Sequence, residues 1–498
     1  MGLEYFAADG CDLAAAVDAA TRAAHWVREH RRPAFLHLRT VRLMGHAGSD
    51  VESAYRPPAV IAAEQRRDPL LGTARLLVES GALTPAEVLA RYQRKRDDLL
   101  ALAREVALLP RLTTAAAVMS PLRGPSPGSV AAEVGTPAGI RTRAEVFDGA
   151  LPEEAGPLTL AQSINRALLD LLAAHPEAMV FGEDVARKGG VYGVTRGLAN
   201  RVGAARVFDT PLDEQTVLGL ALGAGISGLL PIPEIQYLAY LHNAEDQIRG
   251  EAATLGFFSS GRYRNPMVVR VAGYGYQKGF GGHFHNDDAI AVLRDIPGLV
   301  VASPARPEDA AAMLRTCVAA AKTEGAVSVF LEPIALYHER DLHEPGDEGW
   351  LAPYEGSDRW GATHVPIGSG RTHGDGTDLT IVTFGNGLRM SLRVARRLRM
   401  RGLDARVFDL RWLTPLPVAD LLREARVTGR VLVVDETRRS GGVSEGVIAA
   451  LVDAGFEGAI ARVTSEDSFV PLGEAARLVL VSEEQIEEAA VRLVGRRR

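Results

Sequence analysis

A series of apolar, strand-like runs separated by helical stretches constrains this chain most. Between residues 158 and about 345 the runs are Ala178–Phe181, Pro266–Val271, Leu299–Ala302 and Ala326–Leu331. Thr159 and Gln162 cap a helix that runs into Leu172, ahead of the first run. Strands spaced by helices do not join through tight hairpins. They fold as a parallel sheet with helices over its faces. Residues 378–498 repeat the pattern in shorter form. Strands are expected at Leu379–Phe384, Ala405–Asp409 and Val431–Asp435, with a helix over Leu388–Arg401. A last helix opens at a Ser482/Gln485 capping box, and Arg496, Arg497 and Arg498 suit the negative end of its dipole. The expected fold class is α/β throughout.

Upstream of residue 158 the composition changes twice. Residues 1–111 mix one strand, Ala34–Leu38, with helices. Thr84 and Glu87 form a capping box there, Pro85 takes the first helical position, and Leu83 with Val88 makes a hydrophobic staple. Residues 112–157 are rich in Ala, Gly, Pro, Ser and Thr and include Pro121, Pro125, Pro127, Pro137 and Pro152. They read as an extended, mobile linker. A loop over 346–377 separates the two α/β regions. At roughly 150 residues per domain, a chain of 498 residues makes about three domains.

Charge and cysteine content remove several classes. Lys and Arg number 56 against 62 Asp and Glu, a net charge of −6, so no basic excess is available for nucleic acid. Cys11 and Cys317 have neither metal-ligand spacing nor a disulfide framework, and read as small core residues. No apolar stretch approaches the roughly 20 residues that cross a bilayer. The expectation is a cytoplasmic protein that binds neither nucleic acid nor membrane.

Three stretches could carry chemistry. Val207-Phe-Asp-Thr-Pro-Leu-Asp-Glu214 ends a strand at a proline turn and starts a glycine-rich helix at a carboxylate. On its own Glu214 is the acidic residue usual in a first helical turn. Thr40-Val-Arg-Leu-Met-Gly-His-Ala-Gly-Ser-Asp50 is a polar loop around His46 that ends at Tyr55-Arg56. Gly273-Tyr-Gly-Tyr-Gln-Lys-Gly-Phe-Gly-Gly-His-Phe-His285 is a glycine-rich loop after a strand, where functional loops tend to sit. Its two histidines lack a third ligand at suitable spacing, so no metal site is expected.

Together these segments resemble a known family. Gly182-Glu-Asp-Val185, Gly189-Gly-Val-Tyr192, Asp209-Thr-Pro-Leu-Asp-Glu214, Glu234-Ile-Gln236, Asp246-Gln247 and Pro297-Gly-Leu299 are similar to the beta subunit of thiamine-dependent 2-oxo-acid dehydrogenases. These are the decarboxylating first components of the pyruvate and branched-chain complexes. Asp409-Leu-Arg-Trp-Leu-Thr-Pro-Leu416, Gly429-Arg430 and Asp435-Glu436 resemble the family's transketolase-like C-terminal domain. Gly45-His-Ala-Gly-Ser-Asp50, Tyr55-Arg56 and Asp68-Pro69 resemble the end of the alpha subunit. The resemblance implies a thiamine-diphosphate-binding fold. The expected order is the C-terminal part of a diphosphate-type domain (1–111), linker (112–157), pyrimidine-binding domain (158–345), loop (346–377) and transketolase C-terminal-like domain (378–498).

The resemblance also implies roles. Glu214 matches the glutamate that exchanges a proton with the aminopyrimidine ring of thiamine diphosphate, favouring the imino tautomer that takes the thiazolium C2 proton. Apolar neighbours would help its carboxyl hold that proton. Leu212 and Tyr240 match positions that pack on the pyrimidine, and Glu183 is a further site carboxylate. His285, with His283 as competitor, matches the beta-subunit histidine. The family usually follows it with Ser-Gln, whereas Asn286-Asp287 follow here. His46 matches the alpha-subunit loop histidine, with Arg42, Ser49, Asp50 and Arg56 in the same loop for substrate or loop order. Such imidazoles bind the 2-oxo acid and guide acyl transfer to a lipoyl group. The implied partner is a lipoyl-bearing acyltransferase.

One family motif is missing. Mg²⁺ holds the diphosphate through a Gly-Asp-Gly with an Asn a couple of dozen residues on. Here Ala8-Asp9-Gly10 is a poor match, no Asn precedes Asn165, and Gly374-Asp-Gly376 has Asn386 too close behind it and reads as a turn. Residues 1–111 therefore read as part of a domain that lacks several strands. The resemblance implies a homodimer, with the diphosphate half supplied by another chain or by a lost N-terminal segment. Two alternatives stand beside it: a transketolase or deoxyxylulose-phosphate-synthase-like carboligase, and a truncated assembly module that binds no cofactor alone.

Overall fold

The computed structural model describes residues 3–122, 124–136 and 140–495, in two compact units, Met1–Leu112 and Thr113–Arg498. Pro137 and Arg496, Arg497 and Arg498 lie outside the described residues. Among the described residues no helix is long and apolar enough to cross a membrane.

The first unit holds a parallel pair of strands, β1 (Glu4–Asp9) and β2 (Ala34–Arg39), joined through the helix Leu13–His30. The Asp12 side chain caps that helix by accepting from the Ala15 amide at 3.1 Å. β1 was not expected from the sequence. The capping box at Thr84 and Glu87 forms, and its helix runs Pro85–Ala107. Ala19 and Ala23 are the only buried residues among those described in this unit, while Tyr5, Phe35, Leu89 and Tyr92 are exposed.

The second unit is built on two sheets. Its strands are β3 (Ala178–Gly182), β4 (Val207–Asp209), β5 (Leu230–Ile235), β6 (Met267–Gly273), β7 (Val300–Ala302), β8 (Val327–Pro333), β9 (Arg371–His373), β10 (Leu379–Thr383), β11 (Ala405–Asp409), β12 (Trp412–Thr414), β13 (Arg430–Arg438) and β14 (Ala459–Ser465). The larger sheet has the order β12-β7-β8-β6-β5-β3-β4 and is parallel except for β12, which runs antiparallel to β7. The smaller has the order β14-β13-β10-β11-β9 and is parallel except for β9. β12 belongs by sequence to the C-terminal region, yet it covers the edge of the pyrimidine-type sheet.

Three strands are locked by a buried ion cluster. Arg270 on β6 donates to Glu332 on β8 at 2.7 and 2.9 Å and to Glu234 on β5 at 2.6 Å. The Tyr337 hydroxyl donates to Glu332 at 2.7 Å. Buried charges of this kind hold one register only when fully paired.

Residues 112–157 are not the extended linker that their composition predicts. They form short helices at Ala115–Val118, Pro127–Val134 and Ile140–Val146. Val130 and Val134, four residues apart on one helix face, bury against Ala319, Ala320 and Trp360. Arg143 is buried, donating to Asp170 at 2.6 Å and through both terminal nitrogens to Glu153 at 2.7 and 2.9 Å. Residues 346–377 are likewise more than a loop. They bury Trp350, Tyr354 and Trp360 and supply β9.

Candidate functional site

The carboxyl ends of β3, β4, β5 and β6 lie side by side, and the segments that follow them converge. Gly182 pairs in register with both Asp209 and Glu234, and Ile235 pairs with Val271. A side chain at Gly182 would place its Cβ 2.5 Å from the Glu234 carbonyl oxygen, so glycine lets β3 and β5 end together. Crevices at this end of a parallel sheet are where ligands bind. Asp209 accepts from the amides of Ala186 and Arg187 at 2.7 and 3.3 Å, fixing the turn after β3 to the end of β4.

Glu214 is the first residue of the helix Glu214–Ile226, with Asp213 at the N-cap. Its carboxylate accepts from the Asn243 side-chain amide at 3.4 Å. The apolar enclosure expected around it is not formed by this chain: Leu212 is 69% exposed, and Glu214 itself is half-buried. The physical reason lies in the helix. It is apolar on every side, and Leu220 remains exposed while Gly219 and Gly223 have nothing near them. A helix apolar all round is one that buries more than one face.

Glu183 follows β3 directly. Burial, with the Asp184 and Glu214 carboxylates nearby, pushes its carboxyl above the ordinary range. Gln236 donates to the Glu183 carbonyl oxygen at 3.3 Å. Tyr240 stands on the turn after β5. Burial, then Tyr237, Glu183 and Glu214, raises its phenol.

The glycine-rich loop after β6 separates the two histidines. The His285 ring meets Tyr237 edge-on with centroids 4.9 Å apart, and its Nε2 lies 3.3 Å from the Tyr240 hydroxyl. His283 turns the other way and packs on Phe284 and Phe469. Asn286 braces the loop, accepting from the Gly281 amide at 2.9 Å and donating to the Gly275 carbonyl oxygen at 3.1 Å. One cluster thus gathers Glu183, Glu214, Tyr240 and His285, with Asn243 and Tyr237 added.

In the first unit, Asp50 orders the polar loop. It accepts from the His46 amide at 2.6 Å and the Tyr55 hydroxyl at 3.0 Å, and these bonds hold its carboxyl below the usual range. Arg56 pairs with Glu52, and with Glu64 at 2.6 Å. Arg42, His46 and Ser49 are exposed.

Among the described residues no three His, Cys, Asp or Glu side chains come together as a metal site. Gly374-Asp-Gly376 follows β9 as a bend, with the Asp375 side chain 96% exposed. The residues present fit the aminopyrimidine end of thiamine diphosphate, with a carboxylate, an aromatic wall and an imidazole. They do not fit the Mg²⁺-diphosphate end.

Three families match successive parts of the chain. Residues 1–101 match the dehydrogenase E1 component, 157–338 the transketolase pyrimidine binding domain and 368–486 the transketolase C-terminal domain. The pyruvate dehydrogenase E1 component subunit beta of Bacillus subtilis (strain 168) is 32% identical over 341 residues, covering 67% of this chain and 97% of the relative. The subunit of the same name from Staphylococcus epidermidis is 33% identical over 341 residues, with the same coverage. Among solved structures, a split-gene transketolase, an inactive beta4 tetramer, matches in fold with a TM-score of 0.54 at 20% identity, covering 69% of this chain and 100% of that one. With its strand ends, helix-opening carboxylate and domain order, the chain belongs to the thiamine-diphosphate-dependent 2-oxo-acid dehydrogenases, as an E1 component with a beta-subunit-type body.

Proposed function

We propose that this chain supplies the pyrimidine half of a thiamine-diphosphate site that decarboxylates pyruvate or a branched-chain 2-oxo acid and passes the acyl group to a lipoyl carrier. The observation that carries the reading is Glu214. It opens a helix at the carboxyl edge of the sheet, with Tyr240, Glu183 and His285 gathered near it. When bound, the cofactor supplies the electron sink for the carbanion left by decarboxylation. Glu214 holds or releases a proton at the aminopyrimidine nitrogen, and Asn243 orients its carboxylate. Leu212 and Tyr240 offer the surfaces that pack on that ring. His285, set by Tyr237 and Tyr240, orients the 2-oxo acid and handles the proton at its carbonyl oxygen. His46, with Arg42, Ser49, Asp50 and Arg56, forms an alpha-type loop whose role is to bind a 2-oxo acid and guide acyl transfer to a lipoyl group.

The diphosphate and its Mg²⁺ fall to a segment or chain that carries Gly-Asp-Gly and its asparagine. The open apolar face of the Glu214 helix is a surface such a partner covers. Cytoplasmic location and the lipoyl-bearing acyltransferase partner are part of the same proposal.

The test is Glu214→Gln in the assembled enzyme. Turnover with pyruvate or 2-oxoisovalerate should drop below detection, because glutamine holds the ring but cannot exchange the proton. Wild-type turnover in the variant would refute the assignment. Calorimetry of the chain alone with thiamine diphosphate and Mg²⁺ should give no tight binding, and tight binding would refute the division of the site.

A further inference from the structure

The segment after His285 departs from the family pattern, and the structure gives that departure a partner set. Asp287 is buried, and its carboxylate joins three parts of the second unit. Oδ2 lies 3.2 Å from Nε2 of His242. Oδ1 accepts from Nη2 of Arg438, at the end of β13, at 2.6 Å. Oδ1 also accepts from the Asp288 amide at 2.9 Å. Arg438 is anchored in turn, donating to the Ser468 carbonyl oxygen at 3.0 Å.

The positions of these groups along the chain matter. Asp287 lies two residues beyond His285. His242 lies two residues beyond Tyr240 and directly before Asn243, which donates to Glu214. The bond between Asp287 and His242 therefore ties the histidine loop to the turn that supplies two other site groups. Other links run the same way. Gly281 bridges Leu472, the Gly473 amide donates to the Phe280 carbonyl oxygen at 3.2 Å, and Tyr276 donates to the Val481 carbonyl oxygen at 2.6 Å.

We propose that Asp287 is a positioning residue through which Arg438 of the C-terminal domain and His242 hold His285, Tyr240 and Asn243 in register with Glu214. The inference rests on the site assignment above. Its physical basis is that a buried carboxylate with two cationic or donor partners has one low-energy placement, and side chains two residues away inherit it. A neutral residue at 287 would leave His242 and Arg438 free to turn.

The experiment uses the full chain, with histidine and tyrosine rings isotope-labelled for NMR. Asp287→Asn should shift the His285 ring resonance and remove the cross-peak between the His285 and Tyr240 rings. Since Asp287→Asn leaves half-buried Arg438 without its carboxylate, Asp287→Asn/Arg438→Gln is measured beside it. The pair should melt close to the wild-type temperature and still lack the cross-peak. In the assembled enzyme the pair should lower kcat about 10- to 100-fold with KM within about twofold. A retained cross-peak, or turnover within twofold of wild type, in a folded pair would overturn the proposal. Failure of the site assignment looks different, because wild-type turnover in Glu214→Gln leaves these ring signals where they are.

Discussion

At the scale of single residues, the two histidines of one loop carry different prospects. His285 faces Tyr237 and Tyr240, whereas His283 faces Phe469. His285→Ala should lower 2-oxo-acid turnover about 100-fold or more, as loss of a positioned acid–base group does. His283→Ala should stay within about threefold of wild type. Steady-state kinetics of the two variants decide it, and reversed outcomes would transfer the role to His283. Glu214 stood out in the sequence only through the resemblance of its segment to the family, since a carboxylate opening an apolar helix after a proline turn reads on its own as an ordinary first-turn acid. Asn243 and Asp287 did not stand out. Their bonds join residues 29 and 45 positions apart, and no local rule brings such residues together. The choice between the histidines was closed to sequence for the same reason, since it depends on which way the loop turns.

At the scale of elements, the capping boxes at Thr84, Thr159 and Ser482 were readable because each joins side chain and backbone three residues apart. Four of the parallel strands from 178 to 333 were readable from their apolar runs and β4 from the proline turn after it, but β5, broken up by Pro231 and Pro233, was not. The segment 112–157 was misread because proline and alanine content speaks to backbone freedom and says nothing of the surface waiting elsewhere. That surface is Trp360 with Ala319 and Ala320, and the Asp170 carboxylate. Strand β12, three residues long, gives no periodic signal at all. Arg143 is the residue that fixes the segment. Arg143→Ala leaves buried Asp170 without its guanidinium partner, still accepting from the Tyr354 hydroxyl at 2.7 Å, and should cost about 3 kcal/mol in urea unfolding. Limited proteolysis should then cut within 112–157 faster than in the wild type. A loss under 1 kcal/mol would mean the segment is held by its apolar residues alone.

At the scale of the whole molecule, buried acids set a pH dependence. Burial pushes Asp288 and Asp409 up to about 7 and Glu436 up to about 8. Between roughly pH 4.5 and 8 the folded chain holds protons that the unfolded chain has released. Stability therefore falls as pH rises through this window, by at most about 1.4 kcal/mol per pH unit for each group. His373, lowered to about 4 by burial and by Arg371, acts the other way, adding stability as pH rises from about 4 to 6.5. Burial lowers His175, His343 and His364 as well, and above about pH 7, where unfolded imidazoles are mostly neutral, the acids dominate. Calorimetric melting of the chain should show Tm dropping from about pH 7 to 8, and Glu436→Gln should flatten the drop. An unchanged slope in that variant would remove Glu436 as a source. The first unit behaves differently, because two buried alanines among its described residues are too little core to hold it cooperatively. Its backbone amides should exchange with solvent far faster than those of β5, β6 and β8, and should slow once the complementary chain is added. Slow exchange in the chain alone would show that the unit is self-sufficient.

The crossing of β12 onto the pyrimidine-type sheet bears on where such a protein can be divided between genes. A break near residue 112 separates two units that each keep their own hydrogen-bonded strands. A break between β8 and β9 leaves one product with an open edge at β7 and the other with an orphan strand. Rearrangement of coding sequence is thus free to act at the first place and is penalised at the second, so the pyrimidine and C-terminal regions should be inherited together even where the alpha-type part travels separately.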